Sequence, residues 1–68
     1  MKEEQLKAAI AQFLENSNFT AQRELEKAIR NAIAAGKLKG DETFTASVTI
    51  SAEIIDLDVT VYSRINLG

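Results

Sequence analysis

The chain has 68 residues, 46% of them hydrophobic and 26% charged, which is enough for one small globular domain and excludes a disordered or fibrous chain. It contains no cysteine and no histidine, which excludes disulfides, thiolate nucleophiles, zinc–thiolate sites and the commonest general base. No stretch reaches the roughly 20 apolar residues that span a bilayer, and the first residues lack the apolar core of a signal peptide. We therefore expect a cytoplasmic domain over residues 1–68 that has no membrane contact.

The composition also predicts a non-enzymatic protein without a metal or cofactor. No glycine-rich nucleotide loop occurs, and no serine stands in a Ser-x-x-Lys motif that could replace the missing histidine. A domain of this length buries only about 60% of the surface that its unfolded chain exposes. Small domains gain stability from disulfides, metals or association, and association is the one of these that the composition supports. The sequence therefore predicts a homodimer.

The first predicted element is an amphipathic helix over about residues 2–15. Its large apolar side chains recur at helical spacing and form one stripe, made of Leu6, Ile10, Phe13 and Leu14. The following Asn16, Ser17 and Asn18 have side chains that compete for backbone hydrogen bonds. We therefore predict that the first helix ends before them.

The second predicted helix covers about residues 21–35, with Thr20 as its N-cap. Its apolar stripe is Ala21, Leu25, Ala28, Ile29, Ala32 and Ile33. Gly36 follows the last helical position, where a residue with positive φ commonly ends a helix in a Schellman motif. Lys37 and Lys39 then complement the negative end of the helix dipole. The pattern predicts a sharp helix end at Gly36.

From Thr43 onward the apolar period changes to two, which predicts antiparallel strands over about residues 43–53 and 56–67. Pairing Ala52 with Leu57 keeps the apolar faces of both strands on one side and leaves residues 53–56 as the loop. That loop has no glycine, asparagine or proline to favour a tight turn, and it exposes two isoleucines. We therefore expect one of three arrangements: a second subunit covers the loop, the strands meet through a bulge, or the strands exchange between chains.

These elements together predict an α+β domain of order α-α-β-β with both helices on one face of the sheet. A lone two-stranded ribbon is marginal in water, so we expect two ribbons to form a four-stranded antiparallel sheet in the homodimer. The candidate interface residues are Ile55, Leu57, Val59, Val61 and Leu67.

Two charged clusters are the remaining candidates for a function. The basic cluster comprises Arg23, Lys27, Arg30, Lys37 and Lys39. It could contact nucleic acid or another polyanion, but residues 1–40 carry a net charge of only +2 and the whole chain −2, so nucleic acid is the less favoured partner. The acidic cluster of Glu53, Asp56 and Asp58 lacks the spacing of a calcium loop and is typical of charges that protect a sheet corner from aggregation.

The sequence resembles a small uncharacterised bacterial family over nearly its whole length. The resemblance lies in residues 20–30, TAQRELEKAIR, and residues 31–43, NAIAAGKLKGDET. That family tends to have a glycine near the turn between the strands, where this chain has Ile54, Ile55 and Asp56. The resemblance implies a domain of unknown function and no particular ligand. The sequence thus predicts a homodimeric interaction or regulatory module that could also bind another, unidentified protein. Binding of nucleic acid or another polyanion is the alternative.

Overall fold

The computed structural model describes residues 2–68, with one helix followed by a two-stranded antiparallel sheet. Helix α1 spans Glu3–Ala34, strand β1 spans Thr43–Ala52, a 3-10 turn spans Glu53–Ile55, and strand β2 spans Leu57–Asn66. The chain divides into two compact units, one ending at Lys37 and one covering Leu38–Gly68. The α+β class predicted from the sequence is confirmed.

The prediction of two helices over residues 2–15 and 21–35 is wrong, because α1 runs unbroken through the expected break. The hydroxyl of Ser17 donates a hydrogen bond of 2.8 Å to the carbonyl oxygen of Phe13, one turn back, so this side chain is satisfied within the helix. Thr20, expected as an N-cap, lies inside the helix. Residues 16–20 have middling helix propensity, each about 0.5 kcal/mol poorer than alanine, and none is glycine or proline. The polar run weakens the helix there without stopping it.

Continuity of α1 places its two apolar stripes largely on one side of the helix. At 3.6 residues per turn, Ile10 and Ala28 are 18 residues and therefore five full turns apart, so they lie on the same side of the axis. Phe19 lies between the two segments and is 71% exposed. The first-turn glutamates Glu3 and Glu4 lie where the helix dipole favours negative charge.

The end of α1 is the predicted Schellman motif. Gly36 has φ +79°, its N–H donates to the carbonyl of Ile33 at 3.1 Å, and the N–H of Lys37 donates to the carbonyl of Ala32 at 2.9 Å. These two bonds satisfy carbonyls that the helix end would otherwise leave unpaired. The predicted helix end at Gly36 is confirmed.

The hairpin has the register that the apolar faces require. Ala52 pairs with Leu57, Ile50 with Val59 and Val48 with Val61, and the antiparallel ladder continues to Thr43 and Asn66. The opposite face carries polar cross-strand pairs, among them Thr49 and Thr60, whose hydroxyl oxygens lie 3.1 Å apart. The predicted pairing is confirmed, with strand ends within one residue of those expected.

A 3-10 turn joins the two strands of the hairpin, without a bulge between the paired residues. The N–H of Asp56 donates to the carbonyl of Glu53 at 3.0 Å, and Asp56 adopts the left-handed conformation at φ 53°. Aspartate tolerates this conformation better than most residues with a Cβ, which is how the turn forms without glycine. Ile54 and Ile55 are then 96% and 66% exposed at the tip.

Candidate functional site

The candidate functional surface is the apolar face of the hairpin, because its side chains remain open in the single chain. No residue in the described range 2–68 is buried. On β2, Leu57 is 38% exposed, Val59 42% and Val61 54%. On β1, Val48 is 56% exposed, whereas the other apolar side chains of that face are half-buried. An apolar face of this kind on a small protein is a candidate contact surface.

The sequence-predicted interface residues fall into two groups in the structure. Leu57, Val59 and Val61 are alternate residues of β2 and therefore share one face of the strand. Ile55 belongs to the turn, and Leu67 follows β2, where it is half-buried and its N–H donates to the carbonyl of Glu42 at 2.8 Å. The structure thus brings three of the five together on one strand face.

The apolar side of α1 is also open to solvent. Leu6 is 41% exposed, Ile10 50%, Phe13 54% and Leu14 47% in the first half of the helix, and Leu25 and Ile33 are each 41% exposed in the second. A helix stabilised by packing buries such a stripe against a neighbour. Both units therefore carry apolar surface suited to further contacts.

The sequence-predicted basic residues are distributed over the helix and the segment that follows it. Arg23, Lys27 and Arg30 lie on α1, and Lys37 and Lys39 lie beyond its end. Arg30 is paired with Glu26 one turn earlier, with 3.2 Å between Nε and Oε2, and both side chains are largely exposed. The Arg23 guanidinium carbon lies 6.0 Å from the centre of the Phe19 ring, at the limit of a cation–π contact.

The acidic residues at the turn do not assemble into a metal-binding group. Within residues 2–68, no cluster of three or more histidine, cysteine, aspartate or glutamate side chains has the proximity to hold an ion. A shallow hollow on the surface of α1, lined by Glu15, Asn16, Asn18, Phe19 and Gln22, is formed by consecutive turns of one helix and has no enclosing wall from another element.

Glu42 is a structural residue that sequence reasoning missed. Its carboxylate accepts three backbone hydrogen bonds, from the N–H groups of Lys39 at 2.8 Å, Gly40 at 2.9 Å and Asp41 at 3.2 Å. These donors, that of Lys39 foremost and then that of Gly40, lower the pKa of Glu42 below its ordinary value of 4.5. The signal in the sequence for these bonds was a glycine two residues before an acidic side chain. Gly40 has φ 108°, and this conformation turns successive N–H groups toward one point, where a carboxylate can accept them.

Asn66 closes the other end of the hairpin in a similar way. Its Oδ1 accepts hydrogen bonds from the Thr43 hydroxyl at 3.1 Å and from the Gly68 N–H at 3.0 Å. A Cβ added to Gly68 would lie 2.7 Å from the carbonyl oxygen of Asp41, so the chain passes closely over the loop before β1. This packing fixes the loop against the strand ends.

Comparison with known protein families identifies the family of the chain. The profile of a family of unknown function, DUF6494, matches residues 1–68. The chain belongs to this family. Comparison with curated proteins and with solved structures gave no match. The resemblance inferred from residues 20–43 is therefore confirmed, and the function of the DUF6494 family is unknown. Among the described residues, no helix has the apolar length that crossing a bilayer requires.

Proposed function

We propose that this DUF6494 chain is a non-enzymatic interaction module that acts as a homodimer. The observation that supports this proposal is the absence of any buried residue in the described range of a chain that is 46% hydrophobic. A globular domain is stabilised mainly by removing apolar surface from water, and the single chain removes little of it. A second copy supplies the missing apolar contacts.

The magnitudes allow association. Complete burial of a fully exposed valine or leucine is worth about 1.5–3 kcal/mol, and association of two chains costs about 4–15 kcal/mol in lost freedom. Leu57, Val59 and Val61 are 38–54% exposed, so their burial in both copies gains just under half of that value for each of six side chains, about 4–8 kcal/mol, which lies within the range of the cost. In this proposal two hairpins form one four-stranded sheet, and the apolar face of the helical segment covers the apolar face of that sheet, as expected from the sequence.

Mass in solution tests the proposal. Sedimentation velocity at micromolar concentration is expected to give a particle of twice the 7.5 kDa chain mass. A particle of single-chain mass throughout that range, with native helical circular dichroism, would contradict it.

Two neighbouring residues of β2 provide a matched pair of variants. Val61 and Tyr62 are 54% and 71% exposed and point to opposite faces of the strand. Val61→Asp is expected to shift the particle to single-chain mass, because it places a charge in the apolar interface, whereas Tyr62→Asp is expected to leave the dimer intact. Equal effects of the two substitutions would show that the apolar face is not the contact surface.

Polyanion binding by Arg23, Lys27, Arg30, Lys37 and Lys39 is the alternative proposal, and the Glu26–Arg30 ion pair makes it the weaker one. Titration with duplex DNA tests it. A binder that neutralises several phosphates shows an affinity that falls steeply with salt, so lack of binding at about 50 mM salt would exclude this function.

A further inference from the structure

The two outer edges of the hairpin differ in charge. Strand β1 has no charged residue, no proline and no glycine among its ten residues, whereas β2 carries Asp58 and Arg64. In a two-stranded sheet each strand has one edge whose backbone groups lack a partner strand. A long uncharged edge is a template for pairing with another strand, and charges along an edge discourage such pairing.

We propose that the β1 edge pairs with the β1 edge of a second copy, antiparallel about a two-fold axis. The inference rests on the proposed homodimer and specifies its strand order as β2-β1-β1-β2. This order places the uncharged strands in the centre and the strands with Asp58 and Arg64 at the outside. The resulting sheet then exposes only edges that carry charge.

The pleat of the strand restricts the register of this pairing. The apolar faces of the two β1 strands lie on the same side of the sheet only when residues of the same face oppose each other. The two-fold axis must therefore pass through a residue position of β1 and not between two positions. Centring the pairing on Val48 satisfies this condition and keeps nine residues, 44–52, within the ladder. Val48 is the most exposed apolar side chain of β1, at 56%, and Val61 beside it is 54% exposed. The dimer then has a central row of four valines, two from each copy.

Pairing through β2 is the competing arrangement. An antiparallel pairing centred on Val61 would place Asp58 opposite Arg64 of the second copy, twice per dimer. It would also leave both uncharged β1 strands as the outer edges of the four-stranded sheet. Because an uncharged outer edge invites pairing with further strands and a charged edge discourages it, the arrangement with β1 at the centre is favoured.

Cysteine cross-linking distinguishes these arrangements, because the natural chain contains no cysteine. Val48→Cys and Val61→Cys form a matched pair, since the two residues are register partners on the same face with nearly equal exposure. In the β1-centred dimer the two copies of residue 48 oppose each other directly, within the roughly 4.4–6.8 Å between Cα atoms that a disulfide needs. The two copies of residue 61 lie three strand spacings apart, about 14 Å.

Mild oxidation is expected to convert Val48→Cys to a disulfide-linked dimer and to leave Val61→Cys unlinked, with wild-type protein dimeric by sedimentation. Linking of Val61→Cys instead would overturn the β1 assignment and leave the homodimer standing. A dimeric wild type in which neither variant links would also overturn it, since the contact would then lie elsewhere. A single-chain mass for the wild type would contradict both the pairing of β1 edges and the homodimer.

A second pair of variants covers the case in which Val48→Cys does not fold. Ser47 and Tyr62 are exposed register partners on the polar face, one on each strand. Ser47→Lys is expected to raise the dimer dissociation constant about tenfold or more, because it places two lysines beside the axis. Tyr62→Lys is expected to leave that constant within about twofold of wild type, and the reverse order would contradict the proposal.

Discussion

Single residues set the path of the chain between α1 and β1. Gly36 redirects the backbone through its positive φ, and Glu42 then gathers the N–H groups of the following loop on its carboxylate. Neither device needs a buried core, which suits a segment whose side chains remain largely accessible to solvent. Their contributions are therefore measurable separately from packing.

Replacement of Gly36 by alanine is expected to lower the free energy of unfolding by about 1 kcal/mol, because φ +79° is unfavourable for a residue with a Cβ. Nothing lies within 4 Å of the added Cβ, so the cost comes from the backbone conformation and not from a clash. Tm by circular dichroism is expected to fall by about 4–8 °C. Gly36→Asn is the control and is expected to lose less, since asparagine tolerates this conformation. An unchanged or raised Tm for the alanine variant would show that the helix continues through position 36.

We expect the contribution of the Glu42 carboxylate to the stability of the fold to be lost in acid. Its pKa in the folded chain lies below its ordinary value of 4.5, so its contribution is present at neutral pH and disappears as the pH falls through the folded pKa. The Tm difference between wild type and Glu42→Gln is expected to be positive at pH 7 and to shrink as the pH falls below 4.5. Glu42→Asp, which keeps the charge on a shorter side chain, is expected to lose stability at pH 7 as well. A difference that does not change with pH would contradict this role of the charge.

At the scale of elements, the unbroken helix is the largest departure from the sequence-based prediction. The polar run 16–18 has the composition of a break, yet glycine and proline, the residues that stop helices, are absent from it. The strand register and the Schellman motif were predictable, because they depend on period-two patterning and on a single glycine at a defined position. The turn conformation of Asp56 was not predictable, since it depends on backbone angles that the residue type permits without requiring. The bonds of Glu42 had one signal in the sequence, the glycine at position 40, which permits the backbone turn but does not identify the carboxylate that accepts the bonds.

Substitution of Asn18 tests the continuity of α1. At an exposed position within a helix, Asn18→Ala is expected to raise the free energy of unfolding by about 0.5 kcal/mol, and Asn18→Gly to lower it by a similar amount or less. In a turn the order is reversed, because glycine accepts the left-handed conformation and alanine does not. Thermal unfolding followed at the helical band separates the two cases, and a more stable glycine variant would show that the chain turns at this position.

At the scale of the whole molecule, the two units carry similar surfaces: each has apolar side chains that the described chain leaves half-exposed or more. The helix can form from local hydrogen bonds alone, whereas a two-stranded sheet needs a further layer or further strands to be stable. The proposed association is therefore expected to have its greatest effect on the hairpin. We expect the stability of the hairpin to depend on protein concentration more strongly than that of the helix.

The concentration dependence of unfolding tests this account most directly. If folding is completed by a second copy, the dimer is stabilised by mass action and Tm rises as protein concentration increases. Thermal unfolding measured over about a hundredfold range of concentration is expected to show a steady rise of Tm, with the aromatic signal of Tyr62 in the hairpin lost in the same transition as dissociation. A cooperative transition whose Tm is the same at every concentration would show that the single chain is stable by itself, and would contradict the account.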